Sequence, residues 1–115
     1  MEIKRREMTQ PRLKSKLIIN AAVRLCNENG ILATVVQLGD PDAGAIYLKV
    51  SGLNRDCVIF TQQRKTDGTL GWVKVSGEIA IHEEEADEYL ERQMKYDNDI
   101  WILEIEDQKY RNPLA

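Results

Sequence analysis

Histidine occurs once in this sequence and cysteine twice, as Cys26 and Cys57, so there is no spaced set of ligands from which a structural zinc site could be built. The same scarcity argues against a disulfide framework. Both cysteines sit inside apolar patterns, and a lone secreted pair is an unusual scaffold, so both are read as reduced core thiols. Long hydrophobic runs are missing as well. Stretches such as residues 17–23 fall far short of the roughly 18–20 apolar residues that cross a bilayer, so no membrane partner is expected. The basic start, Lys4-Arg5-Arg6, is followed by neither an apolar segment nor a small-residue cleavage site. No secretion signal is read there, and a cytoplasmic protein is expected. Glycine-rich phosphate loops are absent, so nucleotide chemistry has no cradle. No nucleophile signature surrounds a serine or either cysteine, and His82 is read as an ordinary residue at the start of a helix rather than as a catalytic base. The residues call for no cofactor and no particular reaction.

What the chain does hold is enough apolar material for one core: 43% of 115 residues. Residues 1–115 are therefore read as a single domain, with residues 1–11 as a loose basic arm. The net charge of -3 hides a segregation. Six basic residues against two acidic ones leave +4 over residues 1–16, while twelve acidic against two basic leave -10 over residues 78–107. These two regions could attract one another or face different partners. Nucleic acid is a poor candidate, because the pI is near 5.2 and no aromatic stacking motif with basic flanks occurs.

Leu17, Ile18, Ala21, Ala22 and Leu25 recur at helical spacing behind Ser15, read as an N-cap, and stop at Asn29-Gly30. From Ile31 the period becomes two. Residues 33–38, 45–50, 57–61 and 71–75 read as strands joined by short turn-rich connections, which implies an antiparallel meander. Ile46, Leu48 and Val50, then Val58 and Phe60, then Val73 and Val75, are the core candidates, with Tyr47 and Trp72 together on the opposite face. A second helix follows Gly77, with Glu83, Glu84, Glu85 and Asp87 near its positive end and Ala86, Tyr89, Leu90 and Met94 on one side. Residues 101–105 alternate as a last strand. The fold class is therefore α+β: an antiparallel sheet of about five strands and two helices, in the order αββββαβ, with both helices expected on one face.

Three stretches carry a resemblance: Arg12-Leu13-Lys14-Ser15, Gly39-Asp40-Pro41-Asp42-Ala43-Gly44-Ala45, and Asp99-Ile100-Trp101-Ile102-Leu103-Glu104-Ile105-Glu106-Asp107. In these the chain resembles a family of short alphaproteobacterial proteins, domain of unknown function fourteen ninety-one, over residues 12–113. The resemblance implies a bacterial cytoplasmic protein and brings no activity with it. The arm before Arg12 extends beyond the family's usual start.

The candidate binding residues are Asp40, Pro41, Asp42 and Gly44 in the rigid loop, Tyr47 and Trp72 as an aromatic patch, and Trp101 and Glu104 on the last strand. Asp40, Asp42 and Glu104 are also the only candidates for a divalent metal, and they converge only if the end of the last strand lies beside the loop. As a tight hairpin the loop needs no function; as a rigid recognition element it would contact a partner. The expected role is a binding or adaptor module for another macromolecule. A small carboxylate- or metal-dependent enzyme and a self-associating homodimer stand as alternatives.

Overall fold

A computed structural model describes residues 13–115. The basic arm lies outside the described residues. The elements are helix α1 (Ser15–Glu28), strands β1 (Ala33–Gln37), β2 (Ile46–Ser51), β3 (Asp56–Arg64), β4 (Leu70–Lys74) and β5 (Ile81–His82), helix α2 (Glu83–Tyr96) and strand β6 (Trp101–Glu106). A single 3-10 turn, Leu53–Arg55, joins β2 to β3.

The sheet is mixed rather than antiparallel, and it has six strands rather than five. Its order is β1-β6-β2-β3-β4, with the two-residue β5 pairing with the start of β3. The meander holds for β2, β3 and β4, whose pairings are antiparallel. It fails at the first connection. β6 inserts between β1 and β2, antiparallel to β1 and parallel to β2, so the loop from β1 to β2 bridges the N-terminal end of β6 and is not a hairpin. That insertion joins the two ends of the chain, and nothing in local periodicity encodes it. β5 is too short to show a period at all.

The two helices cover opposite faces, which corrects the expectation of a single helical layer. Ile19, Ala22 and Cys26 of α1 pack on Ile46, Leu48, Val50, Leu103 and Ile105. Ala86 and Leu90 of α2 pack on Cys57, Ile59, Ile100 and Ile102. Central strands buried on both faces read as near-continuous apolar runs, and Trp101–Glu106 and the middle of Asp56–Arg64 fit that rule. Both cysteines are buried and unpaired. Burial pushes both thiols up in pKa, with the charge of Asp107 adding to the effect at Cys26, so they stay protonated and unreactive.

The pairing registers also separate the two aromatics that the alternation had grouped. Tyr47 stands opposite Thr61, and Thr61 opposite Val73, so these three share the α2 face. Trp72 stands opposite Gln62 and packs with Phe60 on the α1 face. Val73 and Val75 accordingly belong with Tyr47, not with Leu48. Parity within a strand was right, but it does not carry through turns of different length.

Candidate functional site

The loop between β1 and β2 is built as a clasp. The Asp40 carboxylate accepts the N–H groups of Asp42 and Ala43 at 3.2 and 2.7 Å, closing an Asx turn. The Pro41 and Asp42 carbonyls accept the N–H groups of Lys16 and Ser15 at 2.9 and 3.2 Å. Backbone therefore caps α1. Ser15, the expected N-cap, is instead the first helical residue, and its hydroxyl donates to the Gly44 carbonyl at 2.6 Å. The other side of the clasp holds β6. Asp40 N–H donates to the Asp99 carbonyl at 2.9 Å, and the Trp101 indole donates to the Asp40 carbonyl at 2.7 Å. Gly39 and Gly44 are required by this close approach, since a Cβ on either would run into the Asp99 carbonyl oxygen. Asp42 keeps an exposed carboxylate 3.7 Å from the Lys14 ammonium.

Trp101 is thus part of the core, with 5% of its surface exposed, and offers nothing to a partner. Tyr47 is half-buried under α2, where its hydroxyl donates to Gln93 at 3.3 Å and its ring meets Tyr89 edge-on with centroids 6.2 Å apart. Burial, and then Tyr89, raise its pKa. The metal candidates do not converge. Asp40 spends its carboxylate on the turn beside Trp101, and Glu104 lies three residues further on, about 10 Å along the strand. Among the described residues no group of three or more His, Cys, Asp or Glu is arranged to hold a metal ion.

Glu104 belongs to a different cluster, centred on a residue the sequence reading passed over. Lys49, in the middle of β2, points to the α2 face with only 4% of its side chain exposed. Its ammonium lies 2.8 Å from Asp87, 3.2 Å from Glu83 and 3.4 Å from Glu104. Burial alone would lower the lysine pKa. The hydrogen bonds to Asp87 and Glu83 and the charge of Glu104 outweigh it, so the pKa is raised and Lys49 is a fixed cation rather than a base or nucleophile. The signal was a lysine inside the apolar run Ile46–Ser51, flanked on both sides by buried residues.

Beside this cluster a groove of about 230 Å³ runs between β1 and α2. Its floor is Lys49, Ile102 and Glu104; β1 contributes Val36 and Gln37, and α2 contributes Asp87, Leu90, Glu91 and Met94. β1 is an edge strand of the sheet, and α2 does not reach over it. Leu32, Val36 and Leu38 are consequently 60%, 51% and 72% exposed. No charge interrupts residues 31–38, so the usual protection of an edge by lysine is missing, although the register shifts between Val35 and Gln37. The strand ends in a bulge-like step, beside a groove of mixed apolar and acidic lining.

The family model for DUF1491, described as a protein of unknown function, matches residues 13–115. The chain belongs to the DUF1491 family. A DUF1491 family protein from Caulobacter crescentus, known from a crystal structure, is 31% identical, with a TM-score of 0.80 over 90% of this chain and 96% of that one. An NMR structure of a DUF1491 family protein from the same bacterium gives a TM-score of 0.75 at 31% identity, covering 88% and 91%. The solution structure of protein Atu0922 from A. tumefaciens shares the fold at 24% identity, with a TM-score of 0.72 and coverage of 84% and 87%. No curated protein matches the chain. Among the described residues no helix is long and apolar enough to cross a membrane.

Proposed function

We propose that this DUF1491 protein is a small binding module of the bacterial cytoplasm that takes an extended segment of a partner protein along β1, over the groove between β1 and α2. The observation that supports this most is an uncharged edge strand standing beside a groove lined by both apolar and acidic side chains. Exposed strand edges accept a further strand through backbone hydrogen bonds, and neighbouring pockets read alternate side chains. The chemistry of the groove selects the partner. Val36, Leu90, Met94 and Ile102 suit apolar side chains, while Asp87, Glu91 and Glu104 suit lysine or arginine on the intervening or flanking positions. Lys49 holds Asp87 and Glu104 in place and leaves the rim net acidic.

The Asp40–Gly44 clasp, first considered as the recognition element, serves here by fixing the C-terminal end of β1 against β6. The test is fluorescence anisotropy with a labelled octapeptide of alternating valine and lysine. Saturable binding is expected, weakened about tenfold by Val36→Asp or by Asp87→Lys combined with Glu91→Lys, and absent for a valine–glutamate peptide. Binding that ignores all three substitutions would remove the groove from consideration, and a concentration-dependent self-association through β1 would favour the homodimer instead.

A further inference from the structure

We infer that the outer side of α1 is a dimer interface, on which a second copy of this chain packs antiparallel through its own α1, with Ala21 of both copies at the twofold axis. This goes beyond the strand-docking reading and does not depend on it, since α1 and the groove lie on opposite faces of the sheet.

The helix buries Ser15, Ile19, Ala22 and Cys26 against the sheet and turns a second apolar row outward. Leu17, Ala21 and Leu25 recur every fourth residue, and all three are exposed, so among the described residues nothing covers them. At 100° per residue, these three and the flanking Lys14 and Glu28 fall within an arc of about 80°. Single scattered leucines are ordinary on a surface. A continuous apolar row over two helical turns is what one helix presents to another.

Symmetry selects the occupant. Leu17 and Leu25 each stand four residues from Ala21, and Lys14 and Glu28 each stand seven. Turned end for end upon itself, the row sets Ala21 against Ala21, Leu17 against Leu25, and Lys14 against Glu28 of the second copy. The steps of three, four, four and three residues follow the a and d rhythm of packed helices, and alanine at the centre lets the two backbones come close. An interface on a twofold axis must be self-complementary in this way, whereas an unrelated partner places no such demand on the sequence.

Charge agrees with that pairing. The Lys14 ammonium lies 3.7 Å from Asp42, and Glu28 lies 3.7 Å from Arg24, both in exposed pairs that hold their side chains only weakly. Neither pair has to break, because Asp42, Lys14, Glu28 of the second copy and its Arg24 alternate in sign across the contact. A single helix pair buries less than the roughly 800 Å² per partner of a standard interface, so the dimer is weak and reversible.

The experiment is sedimentation equilibrium of the full chain from about 10 µM to about 1 mM, the range in which a contact of this size assembles. Ala21→Glu, which brings like charges together at the axis, should weaken dimerisation at least tenfold, roughly the effect of one like-charge contact. Lys14→Glu and Glu28→Lys should each weaken it about threefold, and the two combined should restore it. These sites are exposed, and an unchanged circular dichroism spectrum shows that each variant folds. Val36→Asp, on the β1 edge, should leave the dimer intact. A chain that stays monomeric throughout the range would overturn the inference and leave the row to some other protein. A dimer lost in Val36→Asp but kept in Ala21→Glu would place the contact at β1 and overturn it too, as would single charge variants that the double substitution does not rescue.

Discussion

Lys49 faces three carboxylates at once, and these partners are partly in water while it is not. Removing a buried ion's counterpart is more costly than the pair is stabilising, because the remaining charges are left facing one another without compensation. Lys49→Met should therefore cost about 3 kcal/mol in urea unfolding, and Lys49→Arg much less. Its folded pKa is raised, so its contribution is fully present below the ordinary lysine value of 10.5 and is lost only as pH climbs through the folded value. Near neutrality, therefore, Lys49 should add nothing to the pH dependence of stability. Asp107 behaves in the opposite sense. Its buried carboxylate takes both the Nε and an Nη of Arg111, at 2.8 and 3.1 Å, and the N–H groups of Lys109 and Arg111 at 3.1 Å. The Arg111 hydrogen bonds outweigh burial and bring its pKa from 3.8 to about 2. A depressed carboxylate stabilises the fold above its unfolded pKa, so about 2 kcal/mol should disappear between pH 4 and pH 2, and Asp107→Asn should remove that part of the acid titration. In the sequence Lys49 shows only as a lysine inside an apolar run, and Asp107 not at all. A lysine on a strand reads as solvated, and an aspartate after a strand reads as its wet end, until the covering helix and the returning C-terminal turn are in place.

At the scale of elements, the clasp formed by residues 39–44 explains why three distant parts of the chain depend on one another. It caps α1 with backbone carbonyls, accepts the Ser15 hydroxyl, and holds the start of β6 through the Asp40–Trp101 bond. Ser15→Ala strands the Gly44 carbonyl in a buried place and should cost about 1 to 2 kcal/mol. Gly44→Ala, which drives a methyl into the Asp99 carbonyl, should cost more than that and loosen α1 and β6 together, as hydrogen exchange at their amides will show. Both helices and the five longer strands were legible because 3.6- and 2-residue periods survive in α1, α2, β2 and β3. The sheet order was not. β6 enters between β1 and β2 from the far end of the chain, and only long-range pairing decides that position. The clasp reads locally as a tight hairpin; its Asx turn is present, but β6 lies between β1 and β2, and its partners, α1 and Asp99–Trp101, lie outside any local window.

Across the whole molecule, the segregated charge and the uncovered edge fall into one arrangement. α2 brings the acidic part of the chain over one face of the sheet, stops short of β1, and leaves an apolar edge with carboxylates beside it. The segregation was visible in composition, whereas the groove needed the true strand order, because an assumed β1–β2 hairpin would have buried Val36 next to Tyr47. The account stands or falls on β1 accepting another strand. Hydrogen exchange of residues 32–38, measured with and without the valine–lysine octapeptide, tests that most directly. The account predicts that amides along β1 gain protection while those of β4, at the opposite edge, are unchanged; equal protection at both edges, or none at β1, would contradict it.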